Sequence, residues 1–104
     1  METTTSLIPI KLTERAITEV ANIVNSKKIP ENYGLRVGVR GGGCGGAGFF
    51  IGFDKANDED KIYQIQNFEV YIDRKHFMYL LDVELDFEER AEEQGFVFNT
   101  PQQD

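Results

Sequence analysis

The amino-acid sequence predicts a mostly β, β-rich α+β fold: a sandwich or partly closed barrel of short strands, with one N-terminal helix and one short second helix. Three observations predict it. Six or seven short apolar or alternating stretches recur at close spacing with turn residues between them, the pattern of a sandwich or barrel. One segment, Ala16, Ile17, Val20, Ala21 and Val24, repeats at helical spacing. There is no alternation of strands with long helices, which argues against a doubly wound parallel sheet.

In chain order, Leu7 to Leu12 reads as a short strand that Pro9 places at a sheet edge. Thr13 is a good N-cap for the helix that follows. Glu14 lies in its first turn, Lys27 and Lys28 in its last, and Pro30 closes it. Residues 35–40 alternate, with Leu35, Val37 and Val39 on one face and Arg36, Gly38 and Arg40 on the other. A glycine-rich loop intervenes, and Ala47 to Phe53 resumes as an apolar strand. Asn57 to Asp60 makes a polar turn before strands at 61–66 and 68–73, and Asp73 caps a short helix through Leu80. Residues 82–88 alternate again, with Val83, Leu85 and Phe87 inward, and a charged turn leads to a last strand at Gly95 to Phe98.

Composition narrows the function. With 104 residues the chain is expected to form a single domain, 1–104. The formal net charge is −7, the wrong sign for a nucleic-acid footprint. Residues 1–81 carry ten acids and ten bases, whereas 82–104 carry eight acids against Arg90, so the late segment holds the whole imbalance. No apolar run approaches the roughly 20 residues that span a bilayer, and no secretory signal is recognisable, so no membrane role and a cytoplasmic location are expected. The one cysteine, Cys44, has no partner for an internal disulfide and suits a reducing compartment.

Cys44 sits in the run Gly41-Gly42-Gly43-Cys44-Gly45-Gly46. The run contains G-x-G-x-x-G, but a dinucleotide fingerprint needs a helix next, and Gly48-Phe49-Phe50-Ile51-Gly52-Phe53 reads as strand. A thiol flanked by glycines has little side-chain cover, so its thiolate can serve as metal ligand or nucleophile. The alternative is a glycine-rich hairpin whose cysteine is a small filler. Surrounding backbone N–H groups suit an anion or cluster sulfides. His76, the single histidine, would complete a thiol–imidazole pair only if the fold brought the two together, and its basic surroundings, Arg74 and Lys75, suggest a solvent-facing helix residue. Asp82, Glu84, Asp86 and Glu88 alternate with apolar residues and are expected to share one solvated strand face. Such a face discourages edge-to-edge aggregation and offers a partner surface or a weak site for a hard cation.

The run Gly34 to Gly46, with its helix before and aromatic strand after, resembles the A-type iron–sulfur carriers, the HesB/IscA-like family. The resemblance continues through Tyr79-Leu80 and Glu84-Leu85-Asp86-Phe87 to Gly95-Phe96-Val97-Phe98-Asn99-Thr100-Pro101. It implies a HesB-like fold that forms homodimers or higher oligomers. It also implies a non-enzymatic carrier that binds iron or a [2Fe-2S] cluster through Cys44, with iron–sulfur assembly proteins and apo-protein acceptors as partners. Family members usually continue into a Cys-Gly-Cys tail where this sequence reads Gln102-Gln103-Asp104, and their Asp-Gly turn before the late strand is replaced by Leu81-Asp82. Only Cys44 therefore carries over as a ligand. A [2Fe-2S] cluster takes four ligands, so a symmetric dimer supplies two and the others come from a small thiol, a partner's cysteine or a carboxylate. The same count permits a degenerate member that binds no cluster and acts as a partner-recognition adaptor.

Overall fold

A computed structural model of the chain describes residues 8–26, 29–41, 47–89 and 94–100. Among the described residues the elements are β1 (Lys11–Leu12), α1 (Glu14–Ser26), β2 (Tyr33–Gly41), β3 (Ala47–Lys55), β4 (Asp60–Ile65), β5 (Phe68–Asp73), a 3-10 helix (Arg74–Leu80), β6 (Glu84–Glu89) and β7 (Gln94–Asn99). They form two mixed sheets, ordered β1-β6-β7 and β3-β2-β5-β4. The β-rich fold with two helices is thus the one expected, and the sheets are not closed into a barrel.

Each element has a local cause. The Thr13 hydroxyl accepts from the Ala16 N–H at 3.1 Å, which starts α1, and Ala16 and Val20 are its buried positions. Of the strand expected over Leu7 to Leu12, Leu7 lies outside the described residues and the rest pairs only at Lys11–Leu12, because Pro9 has no N–H for a ladder; its carbonyl instead accepts from the Asp82 N–H at 3.2 Å. β1 then runs parallel to β6, through Lys11 N–H to Val83 O at 2.9 Å and Thr13 N–H to Leu85 O at 3.0 Å. β2 and β3 form one long hairpin, paired from Tyr33↔Lys55 to Gly41↔Ala47. β5 joins β2 in parallel, with Leu35↔Val70 and Arg36↔Tyr71. The late strand begins at Glu84 and not at Asp82. Asp82 adopts φ 65° in the turn before it, a left-handed conformation that aspartate tolerates and that the family's glycine would supply.

Inward residues of both sheets and of α1 make one core, with Ile10, Ala16, Val20, Val37, Val70, Ile72, Leu80 and Leu85 each 0 % exposed. Phe49 stacks on Phe98 with ring centroids 5.1 Å apart, which joins the β2–β3 hairpin to the other sheet.

Side chains also link strands across the opposite face of the four-stranded sheet. Arg36 reaches across it to Asp60, whose side chain is 0 % exposed, through Nη1–Oδ1 at 2.8 Å and Nη2–Oδ2 at 2.7 Å. Its Nε donates to Asp54 at 3.0 Å and Nη2 also donates to the Lys55 carbonyl at 2.9 Å. The guanidinium holds the Asp60 carboxyl below the usual carboxylate range, against the opposing effect of burial. Tyr71 lies over Gly34 on this face, and burial followed by its hydrogen bond to Glu69 (2.8 Å) pushes its phenol up to about 12.

Candidate functional site

The glycine–cysteine loop joins β2 to β3. Gly41 is the last residue of β2 and pairs with Ala47; Gly42, Gly43, Cys44, Gly45 and Gly46 lie outside the described residues. The stem that carries them is described, and both of its faces are braced. On the inner face Phe49 rests on Phe98. On the outer face Phe50 lies across Gly38, and the Arg40 guanidinium stands 4.9 Å from the centre of its ring. A β-carbon at Gly38 would come within 2.8 Å of Phe50 Cε2 and of His76 Nδ1, so this crossing requires glycine. Gly48 and Gly52 on β3 have open space where a β-carbon would project.

His76 is not the solvent-facing residue expected. It is half-buried against β2, and its Nδ1 accepts from the Val39 N–H at 3.3 Å. The physical reason is that β5 stops at Asp73 while β2 runs on to Gly41, so the helix after β5 folds its side chains over the unpaired part of β2. The Asp73 carboxylate accepts from the Lys75 N–H at 3.0 Å, capping that helix as the sequence suggested.

The acidic face also reads differently. Asp82 belongs to the turn, and Asp86 is 6 % exposed. Asp86 accepts from the Thr13 hydroxyl at 2.6 Å, from Arg15 Nη2 at 2.6 Å and from the Phe87 N–H at 2.8 Å. The hydrogen bonds from Thr13 and Arg15 lower its pKa. It is a clamp that ties the start of α1 to β6, not a solvated carboxylate. Glu84 accepts from Asn99 Nδ2 at 3.0 Å, and Glu88 is half-buried on the same strand. Alternation correctly put Glu84, Asp86 and Glu88 on one side of β6; it could not show that Thr13 and Arg15 close over Asp86 in the middle of it. Among the described residues no group of three or more His, Cys, Asp or Glu is placed to hold a metal ion, and no helix is long and apolar enough to cross a membrane.

The Arg36–Asp60 lock and the seat of His76 on β2 escaped sequence reasoning. Arg36 was legible as a polar-face residue, but no spacing rule links it to the carboxylate that opens β4.

The fold and the stem define a two-sheet α+β domain whose β2–β3 hairpin is braced on both faces just outside the segment that carries Cys44. Residues 8–104 match the family described as iron–sulphur cluster biosynthesis, and the chain belongs to that family. It is 40 % identical over 93 residues to the iron-binding protein IscA of Proteus mirabilis, covering 88 % of this chain and 85 % of that protein. To the iron-binding protein IscA of Xenorhabdus nematophila it is 36 % identical over the same shares. Among solved structures, Escherichia coli SufA, involved in biosynthesis of iron–sulfur clusters, superposes with a TM-score of 0.76 at 21 % identity, over 100 % of this chain and 89 % of that one. IscA with a [2Fe-2S] cluster gives 0.70 at 22 % identity, over 88 % and 85 %. At these identities the two structures establish the fold.

Proposed function

We propose that this protein is an A-type carrier: it holds iron or a labile [2Fe-2S] cluster through Cys44 at a subunit interface and delivers it to apo-proteins. The observation that carries this reading is the family match across residues 8–104, with Cys44 and its glycines in the loop of the β2–β3 hairpin. The relatives named as iron-binding, and the IscA structure that holds a [2Fe-2S] cluster, supply the cargo chemistry. Gly41, Gly42, Gly43, Gly45 and Gly46 carry no side chains with which to cover a thiolate, and N–H groups of such a run suit cluster sulfides. The whole chain acts as one domain, in a reducing compartment such as the cytoplasm, as a carrier and not an enzyme. One cysteine per chain supports the interface: two copies supply two thiolates, and exogenous ligands complete a site labile enough for transfer. Anaerobic reconstitution with iron and sulfide, followed by visible absorption, tests it. Wild type should colour and Cys44→Ser should not; equal colour in both overturns the assignment of Cys44.

The single thiol also favours a second reading, an adaptor that binds iron–sulfur assembly proteins through the acidic late strands without a cluster. Pull-down with such proteins should then lose partners on neutralising Asp82, Glu84 and Glu88, with Asp86 left intact because it holds α1. Unchanged capture counts against this reading.

A further inference from the structure

We propose that His76 is a positioning residue for the Cys44 thiol, holding by its Nδ1 lone pair the arm of β2 from which the cysteine loop departs. This rests on the carrier reading for its consequence, but not for its geometry. The β2–β5 ladder pairs Leu35 with Val70 and Arg36 with Tyr71, and β5 ends at Asp73. Beyond that point, among the described residues, no strand lies on the β5 side of β2 to receive its N–H groups. The 3-10 helix begins there, and His76 Nδ1 takes the Val39 N–H at 3.3 Å in place of a strand carbonyl.

The seat is shaped for an imidazole. Gly38 leaves out the β-carbon that would stand 2.8 Å from Nδ1, and Phe50 closes the other side at the same distance from that point. An acceptor nitrogen carries no proton, so in this contact the ring hydrogen sits on Nε2. Val39 pairs with Phe49, followed by Arg40 with Gly48 and Gly41 with Ala47, after which the chain enters residues 42–46. The ring thus holds the last rungs before the loop. It acts on the thiol through the backbone, without needing to be a ligand itself.

The test compares His76→Leu, which keeps bulk and loses the acceptor, with His76→Asn, whose side-chain oxygen can take the place of Nδ1. Amide hydrogen exchange of Val39, Cys44 alkylation by iodoacetamide at one pH, and iron retention after anaerobic loading with iron and sulfide are measured. In His76→Leu, Val39 exchange should quicken about three- to tenfold, the worth of one net hydrogen bond, while Val37 changes little. The Cys44 alkylation rate should shift by about threefold or more and iron should be lost faster to a similar degree, with His76→Asn close to wild type in all three readouts. If His76→Leu does not fold, His76→Ala carries the same comparison. Val39 exchange unchanged in the variant lacking the acceptor overturns the proposal. So does equal behaviour of the Leu and Asn variants, and so does faster Val39 exchange with unaltered Cys44 alkylation, which would make His76 a strand cap alone. A wild type that takes up no iron overturns the carrier reading instead, and the two metal-free readouts still decide the role of His76.

Discussion

Replacing Arg36 by methionine should remove a large part of the stability of this fold. The Asp60 side chain is 0 % exposed and receives Arg36 Nη1 at 2.8 Å, Arg36 Nη2 at 2.7 Å and the Asn57 N–H at 2.8 Å. Arg36→Met takes two of these three donors and leaves a carboxylate in a site closed to water. Breaking a buried pair in this way costs about 3–5 kcal/mol. The lost contacts to Asp54 and the Lys55 carbonyl are exposed and add little. Taking about 3 kcal/mol, and about 4–8 °C per kcal/mol for a domain of this size, Tm should fall by roughly 12–24 °C. Urea unfolding followed by circular dichroism at neutral pH measures it. Adding Asp60→Asn removes the stranded charge, so the double variant should be more stable than Arg36→Met alone. Acid provides an independent arm. Asp60 is depressed in the folded state, so the unfolded chain binds its proton first as pH falls. Its contribution is full above the unfolded carboxylate value of about 4 and is lost on acidification toward the folded value, a loss that Asp60→Asn should not share. A single variant that loses less than about 1 kcal/mol, or strict additivity in the double, would refute the buried-pair reasoning.

Tyr71, pushed up to about 12, should keep its proton when an exposed tyrosine has lost it; phenolate absorbance of wild type minus Tyr71→Phe should rise late, and its contribution to stability should vanish as pH climbs from about 10 toward that value. Gly34→Ala places a β-carbon 2.7 Å from Tyr71 Cζ and 2.8 Å from the Glu69 carbonyl oxygen, and should cost about 2 kcal/mol in urea unfolding. Gly52→Ala, with nothing within 4 Å, should cost little and serves as its control. Asp86→Ala should speed amide exchange at Ala16 and Ile17 while β2 stays protected, since Asp86 fastens the first turn of α1 and not the other sheet.

Local chemistry is what the sequence displayed best. Thr13 and Asp73 announced their helices by capping residue, and Leu35, Val37 and Val39 announced β2 by alternation. Strand partnership was hidden, because pairing β1 with β6 and β2 with β5 depends on residues far apart in the chain. The misread carboxylate shows the same limit: the pattern of residues 82–88 reports a side of the strand, whereas Arg15 and Thr13 decide that Asp86 is buried. His76 failed for the complementary reason. Nothing local reveals that β5 is shorter than its neighbour, and it is this difference that draws an imidazole onto Val39. The cysteine loop was legible as a motif, while Cys44 and the glycines around it lie outside the described residues.

The parallel pairing of β1 with β6 has a consequence for the order in which the molecule can assemble. The β2–β3 hairpin, β4 and β5 lie in one stretch, Tyr33–Asp73, and complete the four-stranded sheet among themselves. The three-stranded sheet needs Lys11–Leu12 and Glu84–Asn99 together. On a ribosome the first strand emerges early yet must wait for β6 before it can pair. The β2–β3 hairpin can therefore form before the sheet that meets its inner face through Phe98, so its stem is built ahead of half of its own support.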